Sequence, residues 1–290
     1  MLEQVLISGL AFGSIYALMG LAMAIVYKTS NVPNFAQGEM ATISAYVAWV
    51  ILASHGASFL AALAGSLGVA VALGAFLEFA FIRRAKEPST LNLMIITLGF
   101  QMILYGFAGW RWGAEQKRLQ LPVSDREVVR FGNVAISHLS LATIGIAAIL
   151  MLFVYIFFTY TRWGTALRAT QQNRNAARIH GVPVNRILGG AFAMSAVVGA
   201  VAGILVAPIT TLDPTMMWDP LLKGFAAAVL GGLTSLPGVV IGGYLLGIIE
   251  NLFGAYVSVE FKSVVAFLII VLVLCIRPAG LLGRHYVRKV

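Results

Sequence analysis

Apolar residues along this chain fall in long blocks separated by short polar stretches. The blocks lie at Val5–Tyr27, Gln37–Ala53, Ser58–Ile82, Leu91–Gly109, Leu139–Tyr160, Ile187–Ala207, Leu221–Leu236, Val239–Val257 and Phe261–Ile276. Most have the length of roughly 17–25 residues that a helix needs to cross a bilayer. The seventh is short and bounded by Pro220 and Pro237, so it either crosses obliquely or enters and leaves on one side. Helices satisfy their own backbone polar groups, which lipid cannot do. The expectation is an all-α, polytopic transmembrane bundle forming one domain over residues 1–290.

Composition supports lipid as the solvent. Of 290 residues, 60% are hydrophobic and only 11% charged, where a soluble domain carries about 25% charged residues. Mean hydropathy is +0.90. The net charge of +9 does not point to nucleic acid, because the basic residues sit mostly in short loops between apolar blocks. Three such groups mark the cytoplasmic side by the positive-inside rule. They are Arg83, Arg84 and Lys86; then Arg162, Arg168, Arg174, Arg178 and Arg186; then Arg277, Arg284, Arg288 and Lys289. Loop Trp110–Ser137 offsets its bases with Glu115, Asp125 and Glu127, and the N-terminus carries Glu3 without a base, so both fit outside. An outer N-terminus and a cytoplasmic C-terminus require an odd number of crossings. Nine satisfies this, and eight would put a basic end on the wrong side. The first block lacks a basic leader and reads as a mature helix, not a cleaved signal. Cys275 is the only cysteine, so no intramolecular disulfide forms, and it reads as helix filler.

The polar stretches hold the candidate chemistry. Thr161–Arg186 is helix-compatible from Thr165 to His180, with Gly181 as a C-cap and Pro183 as a stop. It reads either as a docking helix for a cytosolic partner or as a basic loop. Asn31–Met40 offers Asn31, Asn34 and Gln37 around Pro33, with Glu39 opening the next block. It suits a polar path or inner gate near the cytoplasmic face, or merely caps two helices. Gly231, Gly232, Gly238, Gly242, Gly243 and Gly247 surround Pro237 and let helices approach closely. Glu39 and Glu78 lie near block ends, within reach of headgroups. Glu250 is deeper and serves either proton coupling or structure. Ala207–Pro220 reads as a rigid, acidic outer turn. His55, His138, His180 and His285 are dispersed without metal-ligand spacing, no catalytic set is evident, and no phosphate-binding Gly-Lys loop occurs.

Four segments then carry a resemblance. NVPNFAQGEM at Asn31–Met40, GTALRATQQNRNAARIHGV at Gly164–Val182, GFAAAVLGGLTSLPGVVIGGYLLGIIE at Gly224–Glu250 and RPAGLLG at Arg277–Gly283 look like LivH-type permeases of branched-chain amino-acid ABC importers. The resemblance implies a multi-pass protein of the bacterial inner membrane, without a cofactor. It implies a heterodimer with a second permease, two cytosolic ATPase subunits and an external binding protein. It also places the coupling helix within 164–182, where Arg168, Ala169, Asn173, Ala176, Ala177 and Gly181 fall at motif positions. Such permeases extend to urea, short amides and other amino acids, so the substrate stays open. The rival reading is an ion- or proton-coupled secondary transporter, for which Glu250 is the available anchor.

Overall fold

The computed structural model describes residues 2–85, 89–123, 128–131, 134–277 and 279–283. Lys86, Asp125, Glu127, Arg284, His285, Arg288 and Lys289 lie outside the described residues. Each of the nine apolar blocks forms a helix. They are α1 Leu2–Ser30, α2 Gln37–His55, α3 Phe59–Phe76 running on as a π-helical stretch Leu77–Ile82, α4 Thr90–Trp112 and α5 His138–Tyr160. Later come α8 Val184–Thr210, α9 Trp218–Gly231, α10 Leu236–Tyr256 and α11 Lys262–Ile276. Six of these helices are long and apolar enough to cross a membrane by length and composition. Side-chain caps start several of them: Ser58 accepts from Ala61 N–H, Ser89 from Asn92 N–H and Ser235 from Gly238 N–H.

Three details depart from the sequence expectation. A two-stranded hairpin, β1 Val128–Phe131 with β2 Val134–Ser137, precedes α5 in an otherwise helical chain. The single helix expected from Thr165 to His180 is two, α6 Arg162–Gln172 and α7 Arg174–Ile179. Pro183 does not stop a helix but occupies the N-cap position of α8, where its missing N–H costs nothing. Gly181, with φ of +80°, takes the left-handed turn between them.

The chain divides into two compact units. One comprises residues 25–122 and 152–221. Here α2, α3 and α8 pack on one another, α4 lies against α2, and α6 and α7 lie against α8. Gly203 faces the Ala41 backbone, and Gly74 faces Phe192 and Ala196. The buried ring of Tyr46 stacks on Trp112 at 4.5 Å.

The other unit comprises residues 1–24, 123–151 and 222–290. Its α1 and α10 run antiparallel in backbone contact: Gly243 faces Ala17, and Gly247 faces Gly9 and Gly13. Gly242 meets Ala227, and Gly231 and Gly238 face each other where α9 turns into α10. Gly232, with φ of +98°, makes that turn beside Ala279 and Gly283. Gln4 exchanges two hydrogen bonds with the Ala135 backbone, fixing the hairpin to the start of α1.

Replacing Gly243 by valine forces α1 and α10 apart, because a Cβ there falls 2.5 Å from the Ala17 backbone. Overpacking of this kind costs about 1–3 kcal/mol. Thermal unfolding in detergent should therefore fall by several degrees for Gly243→Val. Gly68→Ala, whose Cβ meets nothing within 4 Å, should match or slightly exceed wild type.

Candidate functional site

The polar stretch after α1 is a break that starts the next helix halfway along its neighbour. Asn31 closes α1 in the left-handed region (φ +58°), which asparagine tolerates. Val32 is buried, and the Asn34 side chain accepts from Ala36 N–H at 3.1 Å in an Asx turn. α2 then begins at Gln37. The Gln37 amide donates to the Ser195 carbonyl at 2.9 Å and accepts from the Ser195 hydroxyl at 2.9 Å. Asn34 adds a 3.4 Å bond to the same amide. Both amide side chains are fully buried. Gly199 makes room for Gln37, since a Cβ there would collide with it.

Ser195 lies near the middle of α8, about 16 Å from one end and 22 Å from the other at 1.5 Å per residue. Ser30, at the end of α1, instead lines a cavity with Asn185 and Leu188 from the start of α8. The stretch 31–40 therefore does not stay at one end of the helices. It climbs from the foot of α8 to its midpoint through the six non-helical residues that separate α1 from α2.

A second break has the same form. α8 continues through Pro208 to Thr210, so the expected outer turn is shorter than Ala207–Pro220. Thr211 takes φ of +76°, a strained conformation for a β-branched residue. Leu212 is buried and pairs through its backbone with Lys117 at 2.8 and 2.9 Å. Asp213 accepts from Thr215 N–H at 2.8 Å, as Asn34 does from Ala36. α9 then begins at Trp218, whose indole N–H donates to Glu39 Oε1 at 2.8 Å. Met217 and Leu221 lie against Gly38. Two long helices thus each end in a left-handed residue, a buried aliphatic and an Asx turn, and the short helices that come next begin at one level. With 14 residues α9 is about 21 Å long, too short for a hydrocarbon core of roughly 30 Å.

The stretch between α5 and α8 presents a different surface. Asn173 caps α7 by accepting from the N–H groups of Asn175 and Ala176 at 3.0 Å, which is why α6 and α7 are separate. Arg174 Nη2 donates to the Thr29 carbonyl at 2.5 Å, tying α7 to the last turn of α1. Burial and the neighbouring Arg178 push the Arg174 pKa down from its ordinary value. Arg168 donates to the Thr159 carbonyl at 3.2 Å and is exposed, as is Ala176. Ala169 is half-buried, whereas Ala177 is buried. Ile179, which sequence reading passed over, is 85% exposed at the end of α7. Its signal was an aliphatic residue standing alone in a polar stretch.

Residues 5–274 match the family described as the branched-chain amino acid transport system permease component. The chain belongs to that family. It is 34% identical to the high-affinity branched-chain amino acid transport system permease protein LivH of Escherichia coli K12, over 99% of this chain and 97% of the relative. It is 32% identical to the BraD permease protein of Pseudomonas aeruginosa over the same shares. Among solved structures, a chain of PsaBC from Streptococcus pneumoniae in complex with Fab shares the fold. The TM-score is 0.54 with 14% identity, covering 96% of this chain and 92% of that one. The chain is thus an ABC-importer permease subunit, a multi-pass inner-membrane protein and not an enzyme.

The acids of this permease have partners that the sequence did not announce. Glu78 and Glu39 do not reach headgroups; each is only 1% exposed. Arg83 grips both oxygens of Glu78 at 3.1 and 2.7 Å and also donates to the Asn185 carbonyl. Glu250 is fully buried and takes a 2.6 Å ion pair from Lys223, itself buried over the Tyr16 ring. Lys223 was missed by sequence reading, although a lysine inside an apolar block was the available signal. Glu250 is thus held as one half of a buried ion pair.

Removing one partner of a buried pair costs about 3–5 kcal/mol, while removing both is far milder. Lys223→Met alone should lower the unfolding temperature sharply. Adding Glu250→Leu should restore most of the loss, as a double-mutant cycle followed by thermal unfolding will report.

Proposed function

We propose that this chain forms the translocation path for branched-chain or related small amino acids in an ATP-driven importer. The observation that carries the reading is the full-length family match, with relatives whose names specify branched-chain amino acid transport. The importer takes its energy from cytosolic ATPase subunits and its cargo from an external binding protein. A second permease completes it as a heterodimer. The N-terminus faces outside and the C-terminus faces the cytoplasm, in keeping with the basic loops around Arg83, Arg174 and Arg277. Nine passages result, and in two of them a non-helical segment begins what α2 or α9 completes.

Segment 164–182 is the docking element. Arg168, Ala169, Asn173, Ala176 and Gly181 surround a surface on which Ile179 is the apolar anchor, and buried Ala177 supports it from below. Arg174 links this element to Thr29, two residues before the break at Asn31. Movement of the ATPases therefore reaches the polar break through one guanidinium. The break itself, with Asn31, Asn34, Gln37 and Glu39, is the gated part of the path. Glu250, held by Lys223, serves structure and not ion coupling.

The test is co-purification from mildly solubilised native membranes. Wild type should bring down ATPase subunits and a second permease. Ala176→Arg with Ile179→Asp should lose the ATPases and keep the permease, with unchanged thermal unfolding. Retention of the ATPases by that variant would remove the docking assignment.

A further inference from the structure

Among the described residues three carboxylates are buried, and two of them face a cation: Glu78 has Arg83 and Glu250 has Lys223. Glu39 has none. It is 1% exposed, its Oε1 accepts from Trp218 Nε1, and its Oε2 has no hydrogen-bond partner. Glu250 also leaves one oxygen unbonded, but the Lys223 ammonium meets its charge at 2.6 Å. An unpaired buried carboxylate is far costlier than a paired one, and more so at membrane depth. Packing alone gives no return for it, because glutamine would fill the same space and accept from the same indole.

Position adds to this. Glu39 sits in the first turn of α2, where the positive end of the helix favours an anion without supplying a donor to Oε2. Gln37, two residues earlier, is bonded to the middle of α8, so the carboxylate lies at half height along the helices. Interrupted transmembrane helices are where transporters form substrate and ion sites, and here the Glu39 carboxylate, not the helix N-terminus, offers charge to a cation. The indole that covers Glu39 is itself 46% exposed, so a modest movement of Trp218 uncovers the acid.

We propose that Glu39 is the permease's counter-charge for the ammonium group of its amino-acid substrate, with Trp218 as the side chain that shields it between passages. This rests on the reading of the chain as an amino-acid permease. An ammonium carries three donors in a compact cation, which suits one unbonded carboxylate oxygen and a second held by a displaceable neutral N–H. The cation that Glu39 lacks within the fold arrives with the cargo. Apolar side chains of different shape are then accepted equally at this point, and selection among them falls to other contacts.

The experiment uses the complete complex with its binding protein in proteoliposomes, and follows ATP-dependent uptake of L-leucine alongside thermal unfolding. Wild type imports leucine and is competed by valine and isoleucine; failure here overturns the amino-acid reading, and this proposal with it. Glu39→Gln keeps the acceptor for Trp218 and removes the unpaired charge. It should unfold at the wild-type temperature or higher, retain its ATPase subunits, and import leucine at least tenfold more slowly. Glu39→Asp keeps the charge and should import measurably faster than Glu39→Gln, with a raised KM. Uptake by Glu39→Gln within twofold of wild type overturns the assignment while leaving the amino-acid reading intact. So does a Glu39→Asp protein as inactive as a well-folded Glu39→Gln.

Discussion

The pair of hydrogen bonds between Gln37 and Ser195 fixes the depth at which α2 begins, and the polar break of this permease depends on that depth. A glutamine amide both donates to and accepts from one serine, in a fully buried setting where either bond left unmade would be costly. Because Ser195 is at mid-helix, α2 must start there, and the non-helical chain from Asn31 to Ala36 bridges the distance from the end of α1. The absence of a side chain at Gly199 is what admits the amide. Glu39 is carried to the same depth two residues later, and Trp218 brings the start of α9 to meet it.

The interruptions between α1 and α2 and between α8 and α9 free backbone groups that lipid could not satisfy. The structure answers with local chemistry. Asn34 and Asp213 each close an Asx turn, and Leu212 pairs its backbone with Lys117. The left-handed Asn31 and Thr211 sit where each long helix ends. The permease keeps this arrangement beside a tightly packed framework of small residues, where Gly203 lies on Ala41 and Gly74 on Phe192.

Much of this was legible in the sequence. Each of the nine apolar blocks forms a helix, because block length and hydrophobicity report directly on what lipid requires. Gly243 and Gly247 packed against α1 were visible as a small-residue pair spaced four apart. Depth was not legible. Nothing local in Gln37 says that its partner lies 158 residues away, so the polar stretch read as a feature of the membrane face. Lys223 was hidden in the same way, since its meaning depends on Glu250 one helix later. The split between α6 and α7 escaped because Asn173 fits a helix interior and an N-cap equally well until its side chain is seen capping Ala176. The resemblance to LivH-type permeases implied a docking role for 164–182 but could not distinguish exposed Ala176 from buried Ala177.

If the interrupted helices form a gated aqueous path driven by the ATPases, the start of α9 must meet water in a nucleotide-dependent way. The most direct test places a single cysteine at Asp219, in the exposed first turn of α9, with the native Cys275 replaced by serine. The rate of modification by a membrane-impermeant thiosulfonate is measured on the assembled complex, with and without a non-hydrolysable ATP analogue. A gated path predicts that the cysteine reacts and that its rate changes at least severalfold with nucleotide. A cysteine that is unreactive in both states, or equally reactive in both, would contradict it.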